Sequence, residues 1–354
     1  MTRRLTVLAL TAVLALGDTR AAFAVVADEK VERAGAALVV TWTDTSPVSI
    51  YASEHADAAL ADAKPIARGN RKGRIETPAG PQRLYFLLKD DKDGSEARAA
   101  ERLVPLEHGS NFRDIGGYPA ADGKHVRWGL IYRSGGTPLL TDADVAEVRS
   151  LGLKDMIDLR SSEERSFAPT RLDGVRYTAV GYSMASLLSQ VANPNATVGP
   201  GDSYRGFPTL LAPQLRILFH TLLAGEGPVA YNCSAGQDRT GFTTAVLLLT
   251  LGVPHDVVIA DYHLSTALRR PEYEVPKLDA ASQPDNKTLA FFAALQKDPR
   301  MSKPQPLVDA NHRALVEYAL DEIQQRWGSV DGYLAKEIGV DSAQIAELRR
   351  HYLE

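Results

Sequence analysis

The sequence predicts an α/β protein, a parallel-rich sheet flanked by helices, with a small N-terminal β-sandwich domain ahead of it. Three observations carry that prediction. From Asn111 onward, short apolar segments of strand length alternate with longer stretches of helical periodicity, the grammar of a largely parallel sheet with crossover helices. Before it, residues 28–105 hold short segments of strand composition separated by turn residues. Finally, 354 residues at 44% apolar content, with no low-complexity tract, can bury one substantial core and have the length for two.

Taken in order, "MTRR", the apolar run Leu5 to Leu16 and the small residues of "AAFA" read as a secretory signal, residues 1–24, cleaved near Ala24. A membrane anchor is the alternative, but the run falls well short of the roughly 20 residues a spanning helix needs. The protein is therefore expected to be secreted or periplasmic. Within 28–105, "ALVVTW", "VSIYAS", "RLYFLLKD" and "ARAAERLVPL" are the strand candidates. Asp93-Gly94 marks a hairpin between the last two, and Trp42 is the expected core aromatic. The pattern is that of an immunoglobulin or fibronectin-type module.

Beyond Asn111, "LIYRS" and "DMIDLRS" are buried-strand candidates, and "VRYTAV" and "PVAYN" are further strand candidates. "TDADVAEVRSLGL" predicts a helix capped by Thr141 with Val145, Val148 and Leu151 on one side. "TLLAPQLRILFHTLLAGEG" predicts an amphipathic helix closed by glycine, with Pro213 early in it, and "TGFTTAVLLLTLG" one that ends at Gly252. The tail, "HRALVEYALDEIQQRWG" and "DSAQIAELRRHYL", predicts two more, the second capped by Asp341. Two stretches, 183–208 and 269–306, are rich in Pro, Gly and Asn and read as lids or binding elements. They carry formal glycosylation sequons at Asn195 and Asn286.

Composition excludes one function class. The formal charge is -4 with no dense basic block, which argues against a nucleic-acid binder. The eight histidines, His263 among them, are scattered without metal-ligand spacing, so no metal and no cofactor is expected.

The chain holds one cysteine, Cys233, which cannot form a disulfide within the chain. It is either an inert core residue or a reactive thiol. It sits between a strand and a helix, followed by Ser234, Ala235, Gly236, Gln237, Asp238, Arg239 and Thr240. A loop that wraps into a helix N-terminus turns successive N–H groups inward and makes an anion nest, so Ser234 to Asp238 are the candidate substrate-binding residues. Ala235 and Gly236 keep that loop narrow. Arg239 offers a planar fork for two phosphate oxygens, and the same positive field favours the thiolate of Cys233 as a nucleophile. Thr240 can donate its hydroxyl to the sulfur. Cysteine, glycine, arginine and threonine together in a strand–loop–helix context form a specific signal, against the commoner buried free cysteine.

"CSAGQDRTG" also resembles the C-x5-R-[ST] signature loop of the protein tyrosine phosphatases, in particular the bacterial tyrosine/serine protein phosphatases similar to a secreted mycobacterial multi-specificity enzyme. Those carry "NFRD", "RS", "DLRS", "ADY" and "GYL"; here stand "NFRDIGGY" from Asn111, "LIYRSG", "MIDLRSSEER", Ala260 to Tyr262, and Gly332 to Leu334. The resemblance covers roughly Gly109 to Leu353 and implies a tyrosine phosphatase-like catalytic domain over 109–354. It implies Cys233 as nucleophile forming a phosphocysteine, Arg239 as phosphate clamp, and Asp158 of "DLRS" as the acid that protonates the leaving oxygen. Asp238 is the rival for that proton, or steers water in the second step. Either carboxylate could instead pair structurally with Arg113, Arg133 or Arg160, and Arg113 and Asp114 are expected to be scaffold. Relatives carry lysine where Gln237 stands, a lysine associated with the extra phosphates of phosphoinositides. Asp202, Tyr204 and Arg205 fall in a matching region and either line the pocket or form a surface loop.

The expected function is hydrolysis of phosphotyrosine, with phosphoserine and phosphothreonine as further substrates, on phosphoproteins or small phosphomonoesters. The alternatives are a phosphoinositide or inositol-phosphate phosphatase, and a non-catalytic module that only captures phosphate groups. The β module either binds a partner that the sequence does not specify or packs to stabilise the catalytic domain.

Overall fold

The computed structural model describes residues 26–80, 82–183, 201–299 and 303–354. The expected signal, the sequon at Asn195 and most of the first Pro/Gly/Asn-rich stretch lie outside the described residues.

Seven strands come first: β1 Ala27–Ala34, β2 Ala37–Thr43, β3 Val48–Ser53, β4 Lys64–Asn70, β5 Arg74–Pro78, β6 Tyr85–Asp90 and β7 Glu96–Ala100. They make two antiparallel sheets, ordered β1-β2-β5 and β4-β3-β6-β7. One apolar core joins them, with Leu38, Val40 and Trp42 from the first sheet and Ile50, Phe86 and Leu88 from the second. All four strand candidates of this region are strands, and Trp42 is buried in the core. β1, β4 and β5 carry few or no buried residues, so no apolar pattern announced them. The β6–β7 hairpin turns through Gly94 at φ +78°, and the Asp90 carboxylate accepts from the amides of Lys92 (2.6 Å) and Asp93 (3.3 Å).

The second sheet system contains β8 Arg113–Asp114, β9 Ile131–Ser134, β10 Asp155–Asp158, β11 Arg176–Ala179 and β12 Val229–Asn232, ordered β11-β10-β12-β9-β8. The first four of these neighbours run parallel, and β8 is antiparallel to β9. β9, β10 and β12 are buried at every position, as expected of strands covered on both faces. Thr141 caps Asp142–Ser150 in a capping box with Asp144. The expected helix before β12 is broken at Leu211 into Phe207–Leu210 and Ala212–Ala224. Pro213 has no N–H to carry a helix through that point, so it sits in the first turn of the second piece. Asp238–Thr250 follows the Cys233 loop, and Asp341 caps Ser342–Tyr352. Besides short helices such as Ser162–Phe167, two longer ones were not anticipated: His255–Leu268, which runs beneath the Cys233 loop, and Lys287–Lys297, capped by the sequon residue Asn286.

The two sheet systems are joined by buried polar contacts as well as by chain. Leu103 bridges Arg113 next to β8, while Arg83 reaches across to Asp114 (2.9 Å) and the Tyr132 hydroxyl (2.8 Å). Burial works against the Arg83 charge, but Tyr132 and Asp114 more than compensate and hold it protonated. Trp128 packs on Tyr85 and Ala100 at the same junction.

Candidate active site

The loop from Cys233 to Arg239 leaves the C-terminal end of β12, in the middle of the parallel sheet, and enters the helix Asp238–Thr250. Its carbonyls are held from below. Ser234 O accepts from the Gly136 amide (2.8 Å); Gly236 O accepts from Asn111 Nδ2 (2.7 Å) and Arg133 Nη2 (2.9 Å). Arg113 and Arg133 are in turn fixed on Asp261 at 3.2 and 2.6 Å, and Arg113 donates to Asn111 Oδ1. Burial opposes the charge on Asp261, but the two guanidiniums hold its carboxyl well below the usual range. With the carbonyls turned down, the amides from Ser234 to Thr240 donate to no acceptor among the described residues. Gly236 makes this turn at φ +64°, and a Cβ there would lie 2.5 Å from Gly135 N. The "NFRD", "RS" and "ADY" segments thus meet under one peptide plane.

Above the loop lies a cavity of about 650 Å³ lined by Cys233, Ser234, Ala235, Gln237, Asp238 and Arg239. The other walls come from Glu164 and Phe167, from the segment Arg269–Leu278, and from Phe292, Leu295 and Gln296 of the helix Lys287–Lys297. The second Pro/Gly/Asn-rich stretch therefore forms one wall of the site.

Arg239 is the best-supported group in the cavity. Its Nη1 and Nη2 donate to the two oxygens of Glu164, each at 2.7 Å, and Nη1 also donates to the Tyr182 hydroxyl at 2.6 Å. Of five guanidinium donors that leaves Nε–H and one Nη2–H, the side-on edge of the fork, without an acceptor among the described residues. Burial opposes the Arg239 charge, and Glu164 overcomes it. Burial likewise pushes the Glu164 carboxyl up, but Arg239 and the Ser234 hydroxyl (2.7 Å) hold it well below its ordinary value. Glu164 escaped the sequence reading. A signal was present: Ser161 and Glu164 form a capping box at the start of Ser162–Phe167, which places that carboxylate.

The two candidate acids part company here. Asp158 lies at the end of β10, is fully buried and does not line the cavity. Arg160 binds both its oxygens (Nε to Oδ1 2.9 Å, Nη2 to Oδ2 2.6 Å), and Tyr177 donates to Oδ2 at 2.7 Å. The alternative weighed for it, a structural carboxylate paired with Arg160, describes its placement. Asp238 is half-buried at the first turn of the helix and faces the cavity. It accepts from the Tyr204 hydroxyl, which also meets the Tyr262 hydroxyl at 2.7 Å.

The remaining candidates divide. Thr240 Oγ1 is buried and has no hydrogen-bond partner, so the expected bond to the sulfur is absent. Tyr204 supports Asp238 from behind, whereas Arg205 stacks on Tyr318 at 5.1 Å, and neither Asp202 nor Arg205 lines the cavity. Arg113 is scaffold as expected, and Asp114 secures the amides of Gly116 and Gly129, each at 2.8 Å.

A profile described as the tyrosine phosphatase family matches residues 104–354. Over 254 residues the chain is 32% identical to a Cupriavidus necator protein named among the tyrosine-protein phosphatases, covering 69% of this chain and 86% of that one. Over 276 residues it is 32% identical to the triple specificity protein phosphatase PtpB of Mycobacterium tuberculosis, covering 68% and 95%. A tyrosine-protein phosphatase of Nostoc commune is 30% identical over 219 residues, covering 59% and 69%.

Proposed function

The chain belongs to the tyrosine phosphatase family, and from that premise we propose that residues 109–354 hydrolyse phosphotyrosine, and also phosphoserine and phosphothreonine, through a phosphocysteine. The observation that carries this reading is the convergence of the free loop amides and the open edge of Arg239 on a cavity with Cys233 at its base. A phosphate there receives backbone donors and two guanidinium donors at once. The Cys233 thiolate attacks phosphorus, and the bond to the ester oxygen breaks. Asp238 gives its proton to that oxygen; its place in the cavity and its bond from Tyr204 support it over Asp158. Water then attacks the phosphocysteine, Asp238 takes the water's proton, and inorganic phosphate leaves with the thiolate restored.

The test is turnover of phosphotyrosine and phosphoserine peptides beside Cys233→Ser, with acid-quenched protein examined by mass spectrometry for phosphate on Cys233. Wild-type turnover with a phosphocysteine, both lost in the variant, is expected. Retained phosphopeptide binding without any turnover by the reduced wild type would leave the capture module standing instead.

Residues 1–24 are proposed to direct export, with the N-terminus of protein recovered outside the cytoplasm expected near Ala24; recovery with an intact N-terminus would overturn this. Residues 28–105 are proposed to be an immunoglobulin or fibronectin-like sandwich that steadies the catalytic domain. The buried Arg83–Asp114 pair supports that role. Arg83→Met should lower the unfolding midpoint without changing the substrate rank order; an altered rank order would point to substrate recruitment.

A further inference from the structure

The cavity holds a second arginine built like the first. Arg239 is 13% exposed and backed by Glu164 at 6%; Arg269 is 10% exposed and backed by Glu274 at 6%. Arg269 uses its side-on edge, with Nε on Glu274 Oε1 at 2.8 Å and Nη2 on Oε2 at 2.9 Å. The Ser110 hydroxyl fixes Glu274 from behind at 2.9 Å. Its end-on edge has one long contact, Nη1 to Gln237 Oε1 at 3.4 Å, and otherwise faces the cavity. Arg269 therefore holds its fork in place before any ligand arrives, which lowers the entropy lost on binding.

Eight residues along, Lys277 lines the same wall, exposed and without a hydrogen bond or ion pair among the described residues. The cavity's acids are accounted for differently. Glu164 and Glu274 are committed to their arginines and Asp238 to Tyr204, while Glu272 lies at the rim, 4.0 Å from Arg270. A guanidinium with a free edge next to an unneutralised ammonium suits a carboxylate or a second phosphate. On the same cavity, Phe167 and Phe292 meet edge to face at 5.8 Å and give an apolar wall of the kind an aryl ring packs against.

We propose that Arg269 and Lys277 form a second anion subsite that selects phosphotyrosine peptides carrying an acidic side chain next to the phosphotyrosine. Phosphate lies on the loop and Arg239, the ring lies on the phenylalanine wall, and the neighbouring acid lies on Arg269 and Lys277. Gln237 contributes no charge of its own but links the two sites, accepting from Arg269 and donating to Asp238 at 3.2 Å. The inference rests on the reading of the cavity as the phosphatase site.

The experiment compares kcat/KM for matched phosphotyrosine peptides with one Glu or one Gln at a position flanking the phosphotyrosine, using the full chain. Wild type is expected to prefer the acidic peptide by about tenfold, acting chiefly on KM. Lys277→Gln, at an exposed position, should cut that ratio by roughly threefold. Arg269→Gln should bring it near one, and Arg269→Lys should restore part of it. Hydrolysis of a simple aryl phosphate by wild type reports on the phosphatase reading separately: no turnover there sinks that reading. Turnover with equal use of both peptides, or a ratio untouched by either substitution, overturns the subsite alone. An inositol bisphosphate preferred over the acidic peptide in an Arg269-dependent way would overturn the peptide assignment.

Discussion

Two groups of buried arginine–carboxylate pairs lie on opposite sides of the Cys233 loop, and they differ in what their donors do. Below the loop, Arg113 and Arg133 share Asp261 at 0%, 0% and 1% exposure, and other donors of theirs go to Asn111, Ser265 and the Gly236 carbonyl. Among the described residues Arg133 Nε–H, one Arg133 Nη1–H and one Arg113 Nη1–H find no acceptor, but both side chains are fully buried and neither lines the cavity. Above the loop, Arg239 and Arg269 are also paired, but each keeps one edge of its fork open to the cavity. Pairing by itself therefore says little about role. What separates a floor from a binding site is whether the donors that lack a protein acceptor open onto a cavity.

On that difference, substitutions below the loop should strike stability and those above it should strike turnover. Asp261→Asn leaves two buried guanidiniums short of their shared carboxylate and should cost about 3–5 kcal/mol in urea unfolding. A loss below about 1 kcal/mol would mean that the floor is not held as described. pH sharpens the same point. Asp261 and Glu164 both have depressed folded values, so the stability they add is complete above their ordinary 3.8 and 4.5 and drains away as pH falls further. The wild type should lose stability progressively below about pH 4.5, and Asp261→Asn should lose less over that range.

Above the loop, Arg239→Lys keeps a charge but loses the fork. We expect kcat/KM for a phosphotyrosine peptide to fall roughly 10³-fold, with a thermal midpoint within a few degrees of wild type. Asp238→Asn should lower kcat by about 10²-fold, more for an alkyl than an aryl phosphate, because the poorer leaving group needs the proton more. Asp158→Asn should instead show up in stability; equal kinetic losses for both variants would return the acid's role to Asp158. The smallest effect is expected at Tyr204→Phe, a drop of about three- to tenfold with an altered pH profile, since it removes one bond to Asp238 and leaves the carboxylate in place.

Much of this was legible in the sequence, and the exceptions have causes. β9, β10 and β12 were readable because a strand covered on both faces is largely apolar, whereas β11 at the sheet edge buries nothing. β4 and β5 were not, because they bury almost nothing. Cys233 and Arg239 were readable because one loop carries both and the helix behind it sets their spacing. Glu164 was missed although "SSEE" is a capping box, since the box explains the carboxylate fully without Arg239, 75 residues away. Thr240 was expected at the sulfur, but its hydroxyl is buried without a hydrogen-bond partner.

By itself, then, the sequence determined the local chemistry: a cysteine and an arginine on a loop entering a helix, a glycine for its left-handed turn, and strands and caps where periodicity and side-chain bonding are short-range. Only the tertiary structure decided which carboxylate faces the cavity, which arginine edge stays open, and that Arg269 and Lys277 share a wall with Cys233. Apart from the Arg269–Glu274 pair, five positions apart, those outcomes depend on contacts between residues tens to more than a hundred positions apart, and linear spacing carries no information about which face two distant elements turn toward each other.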